Sequence, residues 1–106
     1  MLNELASKIN NIAQAHGWWS KERSFGDIIA LCHSELSEAL ESYRNHEPMM
    51  WTNNDGKPEG VAVEMIDCVI RILDWCAQVG IDIDDVLEKK MQYNKTRPYR
   101  HGGKEL

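Results

Sequence analysis

The sequence predicts an all-α domain of four to five helices arranged as a bundle, and two observations predict it. Residues 61–79 are apolar or small around most of a helical cylinder, and their polar side chains fall on one narrow stripe. Three other segments repeat apolar residues at spacings of three and four, and no segment alternates as a strand does. The 106 residues suit one domain, with a basic C-terminal tail from about residue 95.

The first two helices are bounded by recognisable end signals. Apolar spacing predicts the first helix over residues 2–16, and Gly17 is a natural stop directly after it. Ser24 is followed three positions later by Asp27, which is the spacing of a capping box. A second helix is therefore predicted over residues 25–44.

The connection over residues 45–58 is rich in turn-forming residues. It also contains Met49, Met50 and Trp51, which are too apolar for an ordinary exposed loop. We expect this segment to fold over the bundle, over a neighbouring subunit or over a ligand.

The third helix is predicted over residues 61–79, and a fourth follows Asp82, which can cap its first turn. Because the third helix is apolar on nearly every side, it must be buried centrally or against another copy of the chain. We therefore expect the protein to oligomerise through its central helices. Residues 97–106 are expected to form an extended tail.

Charge and cysteine content narrow the classes of partner. Residues 1–87 carry 15 acidic against 6 basic side chains, which argues against binding nucleic acid nonspecifically. Residues 88–106 reverse the balance, with 6 basic against 2 acidic, and suit either phosphate binding or a solvated end. No apolar run is long enough to span a membrane. The 3 cysteines form no CxxC pair, so we expect a cytoplasmic location.

Two pairs of carboxylates stand out, Glu35 with Glu38 on the second helix and Glu64 with Asp67 on the third. If these helices pack antiparallel, the four groups can converge, and their mutual repulsion is relieved by a divalent cation. Oxygen ligands suit Mg²⁺ or Mn²⁺, which keep coordinated water and leave room for a polyphosphate. The pattern thus predicts hydrolysis at phosphorus.

Each pair by itself is also common on an exposed helix surface. A di-iron carboxylate bundle is disfavoured because such bundles use Glu-x-x-His pairs, and both pairs here end in a carboxylate instead of a histidine. Arg71 is expected to form an ion pair with Asp67 or Asp74, with a phosphate contact as the alternative.

The residues resemble the MazG-like all-α nucleoside triphosphate pyrophosphohydrolases. That family has E-x-x-E followed by E-x-x-D, read here as Glu35 to Glu38, 25 intervening residues, and Glu64 to Asp67. The segment KKMQYNKTR also matches the family's K-x-x-x-N-x-x-R. The resemblance covers about residues 9–97.

The resemblance implies that all four carboxylates bind Mg²⁺ and that Glu35 or Glu38 orients or deprotonates a water. It implies attack on the α-phosphorus of a nucleoside triphosphate, giving a monophosphate and pyrophosphate, in a house-cleaning role. It also implies homodimers or homotetramers with sites between subunits. The residues it assigns to substrate binding are Lys90, Asn94 and Arg97 for the triphosphate, and Trp18 and Trp19 for the base.

Two rival functions remain open from the sequence. One is a non-catalytic helical module that oligomerises through its third helix and binds a basic partner in an acidic cleft. The other is a hydrolase of a different polyphosphate, such as a dinucleotide or an alarmone.

Overall fold

Five helices and one very short hairpin make up the computed structural model, which describes all 106 residues. The expectation of an all-α fold with four to five helices is confirmed. The elements in chain order are α1 (Leu2–Ala15), α2 (Phe25–Arg44), β1 (Trp51–Thr52), β2 (Pro58–Glu59), α3 (Val61–Gln78), α4 (Ile83–Lys95) and α5 (Arg100–Gly103). None of the helices is long and apolar enough to cross a membrane.

Helices α2 and α3 pack antiparallel along most of their lengths. Near the start of α2, the ring centroid of Phe25 lies 5.0 Å from that of Trp75, near the end of α3. Further along α2, Cys32 shares a buried cluster with Ile28 and with Cys68 of α3. This pairing brings the middle of α2 against the first half of α3, where the acidic side chains lie.

The start of α2 is fixed by the capping box that the sequence predicts. The Oγ atom of Ser24 accepts a hydrogen bond of 3.1 Å from the backbone N–H of Asp27. In return, the carboxylate of Asp27 accepts one of 3.3 Å from the backbone N–H of Ser24. Two otherwise unpaired donors are satisfied, so the helix begins at a defined residue.

Helix α1 packs against α3 and also holds the start of α4. The carboxylate of Asp84 accepts hydrogen bonds from the backbone N–H groups of Leu2 and Asn3, at 2.7 and 3.3 Å. The side chain of Asn3 accepts one of 2.7 Å from the backbone N–H of Ile83. The first turns of α1 and α4 therefore cap each other.

Helix α4 leaves the bundle after this contact, and none of its residues is buried. The radius of gyration is 16.6 Å, against about 13 Å for a compact domain of this length. Only 9 of 106 residues are buried, and no large side chain is completely enclosed. One chain thus leaves much apolar surface uncovered.

The connection before α3 contains the two strands, a feature that the sequence pattern does not reveal. Trp51 pairs with Glu59 and Thr52 with Pro58 in an antiparallel register. The side chain of Asn53 accepts hydrogen bonds from two backbone N–H groups of the turn. Strands of two residues are too short to show alternation, so sequence analysis cannot detect them.

Gly60 sets the point at which this connection enters α3. Its φ angle is +117°, and a Cβ atom there would lie 2.6 Å from the carbonyl oxygens of Pro48 and Met49. Side chains are disfavoured at such a φ angle, and here the space is also filled by backbone. The glycine therefore allows the connection to lie directly against the start of α3.

We expect Gly60→Ala to lower the free energy of unfolding by more than about 1 kcal/mol, because the new methyl group meets rigid backbone. Urea denaturation followed by circular dichroism measures this. Gly56→Ala is the matched control, since Gly56 also has a positive φ angle, +82°, but open space around its Cβ position. Equal losses in the two variants would contradict the role given to the close approach.

Candidate metal centre and adjoining cavity

Three carboxylates from two helices meet at the α2–α3 contact. Glu35, Glu64 and Asp67 each offer one oxygen, and these atoms all lie within 4.8 Å of one another. The spacing of Glu64 and Asp67 places them on the same side of α3, and the antiparallel packing places Glu35 opposite them. We refer to Glu35, Glu64 and Asp67 as the acidic cluster.

Glu38, the fourth predicted ligand, lies beside this cluster on its exposed side. It is one turn beyond Glu35 on α2, and its carboxylate is close enough to those of Glu35 and Glu64 to influence the pKa of both. The structure therefore groups three of the four predicted ligands and leaves the fourth next to them, open to solvent.

Arg71 provides the only cationic partner of the cluster at ion-pair distance. Its Nε atom donates a hydrogen bond of 2.9 Å to Oε1 of Glu35, whose side chain is only 10% exposed. The expected ion pair of Arg71 with Asp67 or Asp74 is thus replaced by one across the helix interface. Arg71 lies one turn beyond Asp67, and its long side chain reaches from α3 to α2.

The carboxylates of the cluster differ in the direction in which their pKa values are shifted. Burial alone would raise the pKa of Glu35, but the hydrogen bond from Arg71 holds the pKa below its usual value. Burial, together with hydrogen bonds to Glu35 and Glu38 and their negative charges, raises the pKa of Glu64 to about 7. Burial and the charge of Glu35 also raise the pKa of Asp67. The acidic cluster therefore carries more negative charge than the single guanidinium group of Arg71 can neutralise.

These residues fit a hard divalent cation. The cluster supplies only carboxylate oxygens, and no histidine or cysteine belongs to it. Magnesium-like ions are held by a few such oxygens while they keep several waters, whereas zinc sites use nitrogen and sulfur more often. An ion of charge +2 would also relieve the repulsion within the cluster.

The raised pKa of Glu64 makes the stability of the metal-free protein depend on pH. Between its ordinary pKa of 4.5 and its folded-state pKa of about 7, the folded chain holds a proton that the unfolded chain has lost. We therefore expect the free energy of unfolding to fall as pH rises through this window. Asp67 acts in the same direction, while Glu35, with its lowered pKa, acts below the window.

Thermal melts in EDTA at pH 5 and pH 7.5 measure this decrease. Glu64→Gln should make it smaller, because the amide stays neutral throughout. The same change at the exposed Glu41 is the control and should leave the decrease unaltered. A Glu64→Gln protein with the full wild-type decrease would contradict the assignment.

A cavity of about 440 Å³ opens directly beside the acidic cluster. Residues of α1, α2, α3 and the α1–α2 connection line it, and Glu35 and Asp67 form part of its wall. This volume lies within the range found for small-molecule sites, and most such sites combine apolar walls with a few polar groups. The cavity lining is apolar for more than half of its residues, namely 8 of 14.

Trp18 and Trp19, which follow α1, both line the cavity. A role of these rings in binding the base of a nucleotide requires this position. The Nε1 atom of Trp19 donates to both carboxylate oxygens of Asp74, at 3.1 and 3.0 Å, which fixes the orientation of its ring. The ring of Trp18 is half-exposed and lies 5.1 Å from the guanidinium carbon of Arg23 and 6.0 Å from that of Arg71. The cavity therefore has aromatic walls, and two guanidinium groups lie close to the ring of Trp18.

The sequence pattern predicts Asp74 only as a partner of Arg71 and does not indicate Asn10, yet Asp74 lines the cavity and Asn10 supports it. Asn10 is buried, and its Nδ2 atom donates to Asp74 at 2.8 Å and to Gln78 at 2.9 Å. The signal was present, since Asp74 lies seven residues beyond Asp67 and shares its helix face. Without knowledge of what packs on that face, the spacing alone has no chemical meaning.

The predicted phosphate ligands Lys90, Asn94 and Arg97 do not line this cavity. They lie on α4 or directly after it, and α4 contacts the bundle mainly at its N-terminal end, against α1. Lys90 and Arg97 instead flank the ring of Tyr93, at 5.2 and 5.7 Å. Within one chain, the structure does not bring these three residues to the acidic cluster.

No protein-family model, no curated protein and no solved structure matches this chain.

Proposed function

We propose that this chain is a Mg²⁺-dependent nucleotide pyrophosphohydrolase of the MazG-like kind, which cleaves (deoxy)nucleoside triphosphates to monophosphates and pyrophosphate. The observation that carries the proposal is the acidic cluster, whose oxygens lie within 4.8 Å of one another at the wall of an aromatic cavity. A cation site for phosphate and a cavity for a base are thus adjacent. The spacing of E-x-x-E and E-x-x-D supports the same assignment.

Glu35, Glu64 and Asp67 are the residues that would hold Mg²⁺, or Mn²⁺ as a substitute. An ion held there would neutralise charge at the phosphate and lower the pKa of a coordinated water. Glu35 or Glu38 orients the attacking water and accepts its proton. One oxygen of Glu35 is already engaged by Arg71, which favours Glu38, whose carboxylate is exposed beside the cluster.

The base of the substrate would lie in the cavity, against the indole rings of Trp18 and Trp19. Its α-phosphate would then reach the acidic cluster, and the rest of the phosphate chain would point out of the cavity. Positive charge and hydrogen-bond donors are needed there; Lys90 and Arg97 of a second copy would supply the charge, and its Asn94 would supply an N–H donor. The site would accordingly be completed by self-association.

Exposed apolar side chains support a homodimer or homotetramer. A soluble protein rarely leaves a large contiguous apolar surface uncovered unless another molecule binds it. Five such side chains lie on α3 alone: Met65, Ile66, Val69, Ile70 and Ile72. A partner with the same surface would cover them in a two-fold symmetric contact.

A panel of nucleoside triphosphates tests the proposed reaction. We expect Mg²⁺-dependent formation of monophosphate and pyrophosphate in equal amounts, measured by anion-exchange chromatography. In water enriched in ¹⁸O, attack at the α-phosphorus places the label in the monophosphate. Label in the pyrophosphate would place the attack at the β-phosphorus and contradict the mechanism. The panel also includes dinucleotides and alarmones as the rival polyphosphates.

The exposed apolar surface equally supports the second candidate, a non-catalytic oligomerisation module with an acidic cleft. Calorimetry separates the two functions. The enzyme should bind Mg²⁺ more tightly when a non-hydrolysable triphosphate is present, because the phosphate supplies further ligands to the ion. A module that binds a basic protein partner should show no such coupling.

A further inference from the structure

Asp74 is a third carboxylate in the wall of the cavity, two helical turns beyond Asp67 of the acidic cluster. Its carboxylate is half-buried and accepts hydrogen bonds from Trp19 and Asn10, but it forms no ion pair with a lysine or arginine. It also lines the cavity directly. A charged acceptor is thus presented to whatever occupies this space.

Helix α3 fixes the distance between this carboxylate and the proposed cation site. Asp67, Arg71 and Asp74 are spaced by four and three residues, so all three lie on one face. Seven residues of helix correspond to about 10 Å. A nucleotide covers a comparable distance from its α-phosphate to the far edge of its base, so the two groups can be contacted together.

The groups around Asp74 determine what it can bind. An ionised carboxylate has about four acceptor positions and no donor. Three N–H···O contacts to Asp74, two from one N–H of Trp19 and one from Asn10, leave acceptor capacity on a side chain that lines the cavity. A ligand N–H group would form a charge-assisted hydrogen bond there, whereas a carbonyl oxygen would be repelled.

We propose that Asp74 selects cytosine over uracil and adenine over hypoxanthine, through the amino group that the favoured base carries at the edge opposite the sugar. Uracil and hypoxanthine carry a carbonyl oxygen at that position. The proposal rests on the proposed function for the placement of the phosphate and sugar. It goes further by naming the bases and the residue that distinguishes them.

The binding of nucleoside monophosphates tests this selectivity without catalysis. Trp18 and Trp19 line the cavity, so quenching of tryptophan fluorescence reports occupancy. In the presence of Mg²⁺, we expect CMP to bind about tenfold to a hundredfold more tightly than UMP, which corresponds to one hydrogen bond to a charged group. AMP should likewise bind more tightly than inosine monophosphate.

The variant Asp74→Asn should abolish this preference, because an amide can present either a donor or an acceptor. It keeps the size of the side chain and an oxygen for Trp19. Asp55→Asn, in the exposed hairpin turn, is the matched control and should retain the preference. The CMP and UMP comparison in the unmodified protein needs no variant, so it decides the question even if Asp74→Asn does not fold.

Equal binding of CMP and UMP, absence of binding, or an unchanged preference in Asp74→Asn would each overturn the proposal. Pyrophosphate release from CTP and UTP is measured separately. A clear preference for CMP without hydrolysis of any triphosphate would overturn the proposed reaction and leave the base selectivity in place. Hydrolysis of both triphosphates with equal binding of the two monophosphates would overturn the base selectivity and leave the proposed reaction in place.

Discussion

Replacing Glu64 by glutamine is expected to reduce pyrophosphate release by about a hundredfold or more, since loss of a direct ligand should exceed the effect of removing an outer-shell partner. The oxygen of Glu64 lies within 4.8 Å of those of Glu35 and Asp67, so the change removes a charged oxygen at the centre of the cluster. The helical fold should persist, because a neutral amide relieves the repulsion that raises the pKa of Glu64 to about 7.

Steady-state kinetics at saturating Mg²⁺ and circular dichroism of the same sample measure the two halves of this prediction. Glu41→Gln is the control on α2, since Glu41 is exposed and is not part of the cluster. It should behave as the unmodified protein does. Full activity in Glu64→Gln would rule out the metal role of this residue.

Mixing two impaired variants is expected to restore activity at low substrate concentration if the site is shared between copies. In Glu64→Gln the cluster is damaged, and in Arg97→Ala the proposed phosphate contact is removed. A dimer with one chain of each kind would contain one site with both groups intact and one site with neither. After subunit exchange of equal amounts, about a quarter of all sites should therefore be active.

Light scattering during size-exclusion chromatography first determines whether the protein is a monomer, a dimer or a larger assembly. Mixtures of Glu64→Gln with Asp67→Asn are the control, because both changes damage the same cluster and cannot complement each other. A mixture of Glu64→Gln and Arg97→Ala that stays inactive after exchange would contradict the supply of Arg97 by a second copy.

Local signals were sufficient to predict much of the fold. Helix α2 runs over the predicted residues, Phe25–Arg44, because the capping box at Ser24 and Asp27 is a short-range feature that sequence spacing displays directly. Helix α3 ends at Gln78, one residue before the predicted bound, which is within the usual fraying of helix ends. The convergence of Glu35 with Glu64 and Asp67 follows from two helical spacings and one antiparallel contact.

Features that depend on packing between helices could not be predicted from the sequence pattern. The partner of Arg71 is Glu35, and that choice depends on the rotation of α2 against α3. The contacts of Asp74 with Trp19 and Asn10 join three elements that are distant in sequence. The departure of α4 from the bundle is likewise a tertiary property, because its apolar spacing is the same whether it packs on its own chain or on another.

The small number of buried residues, 9 of 106, has a thermodynamic consequence. If the proposed self-association covers the exposed apolar surface, it supplies a large part of the folding free energy, and the folded fraction of the chain is then governed by mass action. Its melting temperature should then rise with protein concentration, and dilution should unfold it under conditions in which a concentrated solution remains native.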